Sequence, residues 1–282
     1  MAIAIAYEAA NGERLEFGGS DEALHYFENE LFNAEWGYTS SNGRVGAFHK
    51  DVEKLKFKVG IAADTEAEGL ALRERLIELT ERDVLNGSMG RLVINGWYLP
   101  CFVYGRSYGE WWHGGRFLEC ELLIVCEGRT WYRNNFKHFY AKDEGSSGYG
   151  LNLPHDYPHD YGTSPMTEAS ITNASLSPSN ALIRFYGACS DPHIVIADNT
   201  YGVYGKYEAG GMVEIDTKAQ TITRVTADGV RTNAFGSRYE GGEASNSYVF
   251  KQVPAGVSGI SASGDFAFDV CVYEHRSEPE WS

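Results

Sequence analysis

The amino-acid sequence predicts a mainly β protein with one helix: an α+β N-terminal domain followed by an all-β sandwich. Three observations carry this. Gly makes up 32 of the 282 residues and aromatic residues 13%, with 18 Tyr, the balance of a chain built from many short strands and tight turns. One segment, from about Glu66 to Leu85, carries a helical apolar stripe with start and stop signals. A stretch rich in Gly, Ser, Pro and charge over 141–165 separates two blocks of strong patterning. The 43% of hydrophobic residues suffices for a packed core and is too high for a disordered chain.

The elements follow in order. Ile3, Ile5 and Tyr7 alternate with Ala, and Asn11-Gly12 turns the chain before Leu15 and Phe17. Asn42-Gly43 is a second hairpin signal, between Trp36-Tyr38 and Val45–Phe48. Leu55, Phe57 and Val59 alternate with Lys54, Lys56 and Lys58, which makes a half-buried strand with one basic wet face. Thr65 and Glu68 form a capping box in which each side chain serves the other's backbone N–H. Leu72, Leu76 and Leu79 share one stripe, flanked by Leu70, Ile77 and Val84, so that about half the helix circumference is apolar. Glu78 and Arg82 are spaced for an i,i+4 pair, and Asn86-Gly87 stops the helix. Strands resume at Arg91–Ile94, turn at Asn95-Gly96 and continue through Trp97–Tyr104. Phe117–Cys126 is central by its apolar run, and Trp131-Tyr132-Arg133 closes the block.

Beyond the 141–165 stretch the pattern is almost purely β. The expected strands are Ala181–Tyr186, His193–Ala197, Gly202–Tyr207, Met212–Asp216, Thr221–Thr226, Tyr248–Gln252 and Phe266–Tyr273. Short strands at near-regular spacing without a helix predict an antiparallel sandwich.

Composition also excludes function classes. With 24 Lys+Arg against 39 Asp+Glu the formal charge is −15, and both halves are acidic, the wrong sign for a nucleic-acid-binding surface. No apolar run is long enough for a membrane span, and Met1–Ala10 reads as a first strand rather than a signal peptide. Five Cys (101, 120, 126, 189 and 271), without a C-x-x-C and mostly in apolar runs, read as buried free thiols in a reducing cytoplasm.

Few residues suggest chemistry. His155-Asp156 and His159-Asp160 have a four-residue His spacing, but Pro154 and Pro158 forbid a regular helix. In an extended chain the two imidazoles lie ~13 Å apart, too far to share an ion. Gly236, Gly241 and Gly242 lack the strand-to-helix context of a phosphate cradle, and there is no G-x-S-x-G elbow. No spacing singles out an acid–base pair of carboxylates, and His25, His49, His138, His193 and His275 are scattered. No catalytic, cofactor-binding or metal-ligating residue is therefore assigned. Trp111-Trp112-His113-Gly114-Gly115 reads as an aromatic loop tip, an inter-subunit contact or a sugar platform. Adjacent Trp111 and Trp112 cannot both point inward from a regular strand, which makes them the candidate interface residues.

Taken together, Asp191–Ile196, Tyr201-Gly202-Val203-Tyr204-Gly205, Met212–Thr217, Phe250-Lys251-Gln252-Val253-Pro254-Ala255-Gly256 and the closing Arg276-x-Glu278-Pro279-x-Trp281 resemble the distal tail proteins of long-tailed, non-contractile bacteriophages. The Asp-Tyr-Pro connector and the N-terminal order of Trp36-Gly37-Tyr38, helix, Asp83-Val84-Leu85, Trp97-Tyr98-Leu99 and Trp131-Tyr132-Arg133 fit the same family. The sequence departs from it in the His residues of the connector and in an enlarged Gly-rich loop over 235–247.

The resemblance implies a structural protein without cofactor, not an enzyme. Residues 1–142 would be a ring-forming domain, 143–165 a connector and 166–282 a galectin-like β-sandwich. Six copies would form a hub ring at the virion tail tip, assembled in the host cytoplasm. The ring would join the major tail tube protein to a tail-tip, tail-associated lysin or fibre protein. The tape-measure protein and receptor-binding proteins for host adsorption would be further partners. An acidic lumen would let DNA pass, since phosphate binding needs Lys and Arg. Two rival classes are a carbohydrate-binding sandwich module of an adhesin or cell-wall-acting protein, and an enzyme acting on cell-wall polymer. Fold alone does not imply sugar binding.

Overall fold

Strict alternation in strand β6 (Val52–Ala62) sets the architecture of the first half. Leu55, Phe57, Val59 and Ile61 point into the core, while Lys54, Lys56 and Lys58 face solvent. The computed structural model describes residues 5–18, 24–31, 33–112, 117–140, 169–242, 245–264 and 266–280, with the backbone alone at 27–29 and 110–112. The chain divides into two units: Met1–Arg133 with His275–Ser282, and Asn134–Glu274.

In the first unit β6 pairs along its whole length with β9 (Phe117–Glu127). On the other edge of β9 lies β8 (Trp97–Trp112), which is long enough to serve two partners. Its first part pairs with β7 (Gly90–Ile94), its later part with β9, with register shifts after Val103 and after Tyr108. β1 (Ile5–Glu8) and β2 (Arg14–Phe17) extend the sheet beyond β7, and β3 (Leu24–Asn29) pairs with β6 at the opposite edge. The Gly18 N–H donates to the Leu24 carbonyl at 2.8 Å, so the sheet curls until its two edges approach. Inside lie Phe17 and Phe57, edge-to-face at 5.2 Å, with Ile5, Leu92, Trp97 and Trp131. Trp131 opens β10 (Trp131–Phe139).

Helix α1 (Glu66–Asn86) closes against this sheet. Thr65 Oγ1 accepts from the Glu68 N–H at 3.2 Å. The Glu68 carboxylate reaches one residue further back than a capping box requires, to the Asp64 N–H at 3.2 Å. Gly87, at φ 62°, donates to the Val84 carbonyl, and Ser88 donates to that of Asp83. This pair of bonds is the glycine-terminated helix stop that the sequence signals. The buried stripe is narrower than its pattern suggests. Leu76 and Leu79 are buried, but Leu70 and Val84 are about two-fifths exposed, and the remaining buried positions include Thr80 and Asp83. Arg82 pairs with Glu13 at 2.9 Å instead of with Glu78, because β2's hairpin brings a carboxylate from another element within reach.

Asp83 is the polar anchor of the helix. Its carboxylate, 1% exposed, accepts from the Tyr7 hydroxyl at 2.5 Å and from the Ala10 N–H at 3.1 Å. Burial, then the neighbouring carboxylate, pushes the Tyr7 hydroxyl pKa far above its ordinary value. Gly90 makes room: a Cβ there would sit 2.6 Å from Asp83 Oδ2.

The last residues of the chain return to this unit. The Trp97 ring lies under two guanidinium groups, Arg133 at 4.5 Å and Arg276 at 5.3 Å. Glu280 bridges both arginines at 3.0 and 2.8 Å, and its carbonyl accepts from Asn95 Nδ2 at 3.2 Å. The closing Arg-x-Glu-Pro motif thereby helps to cover a core tryptophan.

The second unit is a sandwich. One sheet runs β19 (Arg231–Asn233), β18 (Thr221–Val225), β17 (Met212–Asp216), β12 (Ala181–Tyr186) and β21 (Phe268–Arg276). The other runs β11 (Ser170–Asn173), β20 (Gly256–Ala262), β14 (His193–Ile196) and β15 (Asn199–Gly202). A short pair, β13 (Cys189–Ser190) with β16 (Lys206–Tyr207), lies beside them. Ile183, Phe185, Val213, Ile215 and Val270 form the core with Ile194, Ile196, Tyr201 and Ile260.

Two expectations need correction here. The run Tyr248–Gln252 is buried at Val249 and Phe250 but is not a strand. Side chains take its carbonyls: Asn199 Nδ2 donates to Tyr248 and the Tyr201 hydroxyl to Lys251, both at 3.0 Å. The expected strand Gly202–Tyr207 is split, because the chain turns at Gly205 (φ 122°) between β15 and β16.

Removing either half of the Asp83 anchor should be costly. Asp83→Ala should lower stability by about 2–3 kcal/mol, since it strands a buried hydroxyl and an N–H. Gly90→Ala should cost about 1–3 kcal/mol through overpacking, and Leu85→Ala, at a 78% exposed position, less than ~0.5 kcal/mol. Urea midpoints at constant m-value would check the order. At the other anchor, Trp97→Ala should cost about 3–5 kcal/mol and Glu280→Ala, a half-exposed ion pair, under ~1 kcal/mol; equal effects would mean that the bridge rather than the buried ring holds the tail.

Candidate functional site

Between β3 and β6 the chain leaves the core to form a hairpin, β4 (Gly37–Ser41) and β5 (Arg44–His49). Asn42 and Gly43, at φ 52° and 72°, supply the tight turn that the Asn-Gly pair signals. Among the described residues β4 and β5 pair only with each other, and every residue of β5 is exposed. The hairpin and its flanks nevertheless carry large apolar side chains: Trp36, Tyr38, Val45, Phe48 and Val52 are each 49–66% exposed. Tyr38 and Phe48 face each other across the ladder with ring centroids 6.4 Å apart. Thr39 Oγ1 accepts from the Ala47 N–H at 3.1 Å. Two-stranded ribbons are marginal in water, and a set of exposed aromatic residues on one is the composition of an interface core.

The base of this arm is fixed. Lys50 Nζ donates to the Arg129 carbonyl and lies 3.3 Å from Thr130 Oγ1 and 4.8 Å from the centre of the Trp36 ring. Burial holds the Lys50 ammonium below its ordinary pKa range. The Gly128 N–H donates to the Asp51 carbonyl at 3.2 Å. Arg129, 5% exposed, donates to the Glu30 carbonyl and to the Glu53 carboxylate.

Trp111 and Trp112, the interface candidates from sequence, close β8 with their backbones opposite Leu118 and Phe117. Their side chains lie outside the described residues, as do His113, His155, His159 and the whole connector. Of the other N-terminal tryptophans, Trp97 and Trp131 are core residues and Trp36 is exposed at the foot of the arm. In the sequence the apolar residues of 36–48 read as strand positions on either side of the Asn42-Gly43 turn. The available signal was the run of small polar residues Thr39-Ser40-Ser41 between them, which leaves neither face of the ribbon fit for burial.

All five cysteines are free. Burial pushes Cys120 and Cys126 up to about 11 and Cys271 up to about 12, and raises Cys101 and Cys189 as well, so they are protonated thiols at neutral pH and poor nucleophiles. Among the described residues no three His, Cys, Asp or Glu side chains converge. In the second unit Glu214 is taken by Arg184 at 2.8 Å and by Arg231, and Asp269 by His138 and by the Tyr186 hydroxyl. These are cross-strand pairs that brace a sheet face.

No protein-family model matches the chain, and no curated protein is detectably similar in sequence. Solved structures match in fold. The crystal structure of the Dit protein of phage SPP1, a hub adsorption apparatus of phages that infect Gram-positive bacteria, superposes with a TM-score of 0.58 at 14% identity, covering 98% of this chain and 100% of that one. Structures of the phage P2 baseplate in its activated conformation, with calcium and with strontium, each contain a chain that matches with a TM-score of 0.61 at 12% and 13% identity, covering 99% of this chain and 100% of theirs. Over nearly its whole length, the chain has the fold shared by the SPP1 Dit hub protein and the matching chain of the P2 baseplate.

Proposed function

We propose that the chain is a non-enzymatic tail-tip hub protein of a long-tailed bacteriophage, a distal tail protein in which six copies close into a ring through residues 1–142. The C-terminal sandwich over 166–282, joined through the connector 143–165, supports host-adsorption proteins. The ring joins the tail tube to the tail-tip or fibre protein. The observation that carries this reading is the correspondence of the whole chain, both units in order, with hub and baseplate components.

The arm supports the N-terminal unit as the assembling part. A ring uses one patch against a different patch, repeated until it closes, and β4–β5 offers an apolar patch that the described residues leave uncovered. Tyr38, Phe48 and Trp36 then anchor the contact with a neighbouring copy. Six copies at −15 each carry roughly −90 formal charges, whose repulsion opposes closure at low salt. The carbohydrate-binding module is the second reading; the aromatic cluster described below favours sugar contact as an added property of the hub rather than a replacement for it.

Light scattering across salt and concentration, with electron-microscopy class averages, tests the ring. Rings should form more readily at high salt or with the tail-tip partner added. The double variant Tyr38→Ser, Phe48→Ser should keep its melting temperature within a few degrees, since both sites are solvent-exposed, and should weaken assembly at least tenfold. A wild-type chain that stays monomeric under all these conditions would refute the ring. Rings of undiminished strength from the double variant would place the interface elsewhere.

A further inference from the structure

The enlarged loop over 235–247 builds something that the core does not need. It runs back along the free edge of β15: Val203 and Arg238 form an antiparallel bridge, the Tyr204 N–H donates to the Ser237 carbonyl at 2.6 Å, and the Tyr239 N–H donates to that of Gly202 at 3.0 Å. This extra edge segment lays the Tyr239 ring against Gly202, where a Cβ would stand 2.6 Å from His193 Cβ and 3.0 Å from the ring. Tyr239 is held on several sides. Its hydroxyl lies 2.9 Å from His193 Nδ1 and 3.3 Å from the Asp191 carbonyl. Its ring stacks on Tyr204, with centroids 4.5 Å apart at 26°, and tilts against His193 at 5.3 Å. Tyr204 is 53% exposed.

We propose that the Tyr204–Tyr239 stack is a binding platform for a neutral pyranose unit of a surface glycan. Three features argue for it. The stack is preorganised by Gly202, His193 and the edge bridge, so a ligand loses little affinity to ordering it. The rim supplies both donors and acceptors: Asp191, whose carbonyl meets the Tyr239 hydroxyl and whose exposed carboxylate accepts from the Gly205 N–H at 2.7 Å, and exposed Lys206, two residues beyond Tyr204. A flat aromatic surface with a mixed polar rim matches a sugar's C–H face and its belt of hydroxyls. Charge selects among glycans: the rim is mixed in sign and the chain carries −15, which disfavours polyanionic cell-wall polymers. A single platform of this size binds at about millimolar strength. Six copies in a ring would raise the avidity by roughly 10²–10⁴. The proposal concerns the sandwich unit alone and stands whether or not the ring forms.

The test is saturation-transfer NMR on the full-length chain. The probes are methyl pyranosides of glucose, galactose, rhamnose and N-acetylglucosamine, with polyglycerol phosphate as the anionic control. Saturation should pass to the C–H protons of at least one neutral pyranoside. The signal should fall at least tenfold in Tyr204→Ala, return in Tyr204→Phe, and stay unchanged in Leu85→Ala, an exposed site on the helix. No transfer to any pyranoside, transfer that survives Tyr204→Ala, or binding of polyglycerol phosphate alone would overturn the proposal. Light scattering on the same samples separates the two readings: sugar binding absent with rings intact sinks this inference only, and rings absent with sugar bound sinks only the hub reading.

Discussion

Arg129 is the residue at which the N-terminal unit is tied together. An arginine at 5% exposure is costly unless its charge and donors are met. Here the guanidinium donates to the Glu30 carbonyl just past β3 and to Glu53 on β6, its buried Nε alone lacking a partner among the described residues, while its own backbone carbonyl accepts from Lys50 at the foot of the arm. One residue, through its side chain and its carbonyl, thus links the end of β3, the start of β6, the β9–β10 turn and the foot of the hairpin. Without such a clamp a two-stranded ribbon would have little reason to hold one direction. With it, the exposed Tyr38 and Phe48 are presented from a fixed base, as a recognition surface must be to bind without a large entropy loss.

The rest of the unit follows from the same economy of partners. The helix is held by one buried carboxylate, and the closing tail by a tryptophan between two arginines. In the sandwich unit the polar groups of one outer sheet face are paired across strands. The arm and the tyrosine stack both leave aromatic rings open to solvent: Trp36, Tyr38 and Phe48 on one, Tyr204 on the other.

How much of this the sequence made legible depends on whether the signal was local. Thr65 and Gly87 mark the helix to within a residue, because caps are made by neighbours in sequence. Alternation placed β6, β12 and β17, because one face of each is core. Long-range partners were not legible. Arg82 finds Glu13, 69 residues away, rather than Glu78; Asn199 and Tyr201 take carbonyls near residue 250 and turn an apolar run into a buried loop; Glu280 crosses to Asn95. Asn42-Gly43 marks the arm as a hairpin but not as an exposed one, since exposure is decided by what fails to pair with it. Tyr204 and Tyr239 meet only through the loop, whose unusual length was the one visible hint.

Site-specific photo-crosslinking from position 38 in the assembled full-length protein tests the central claim most directly. If the clamped hairpin joins one copy to the next, a photoreactive residue replacing Tyr38 should give covalent dimers and higher ladders of this chain, and these should vanish when assembly is blocked at low salt. Crosslinks confined within single chains, in a sample shown by electron microscopy to contain rings, would contradict it.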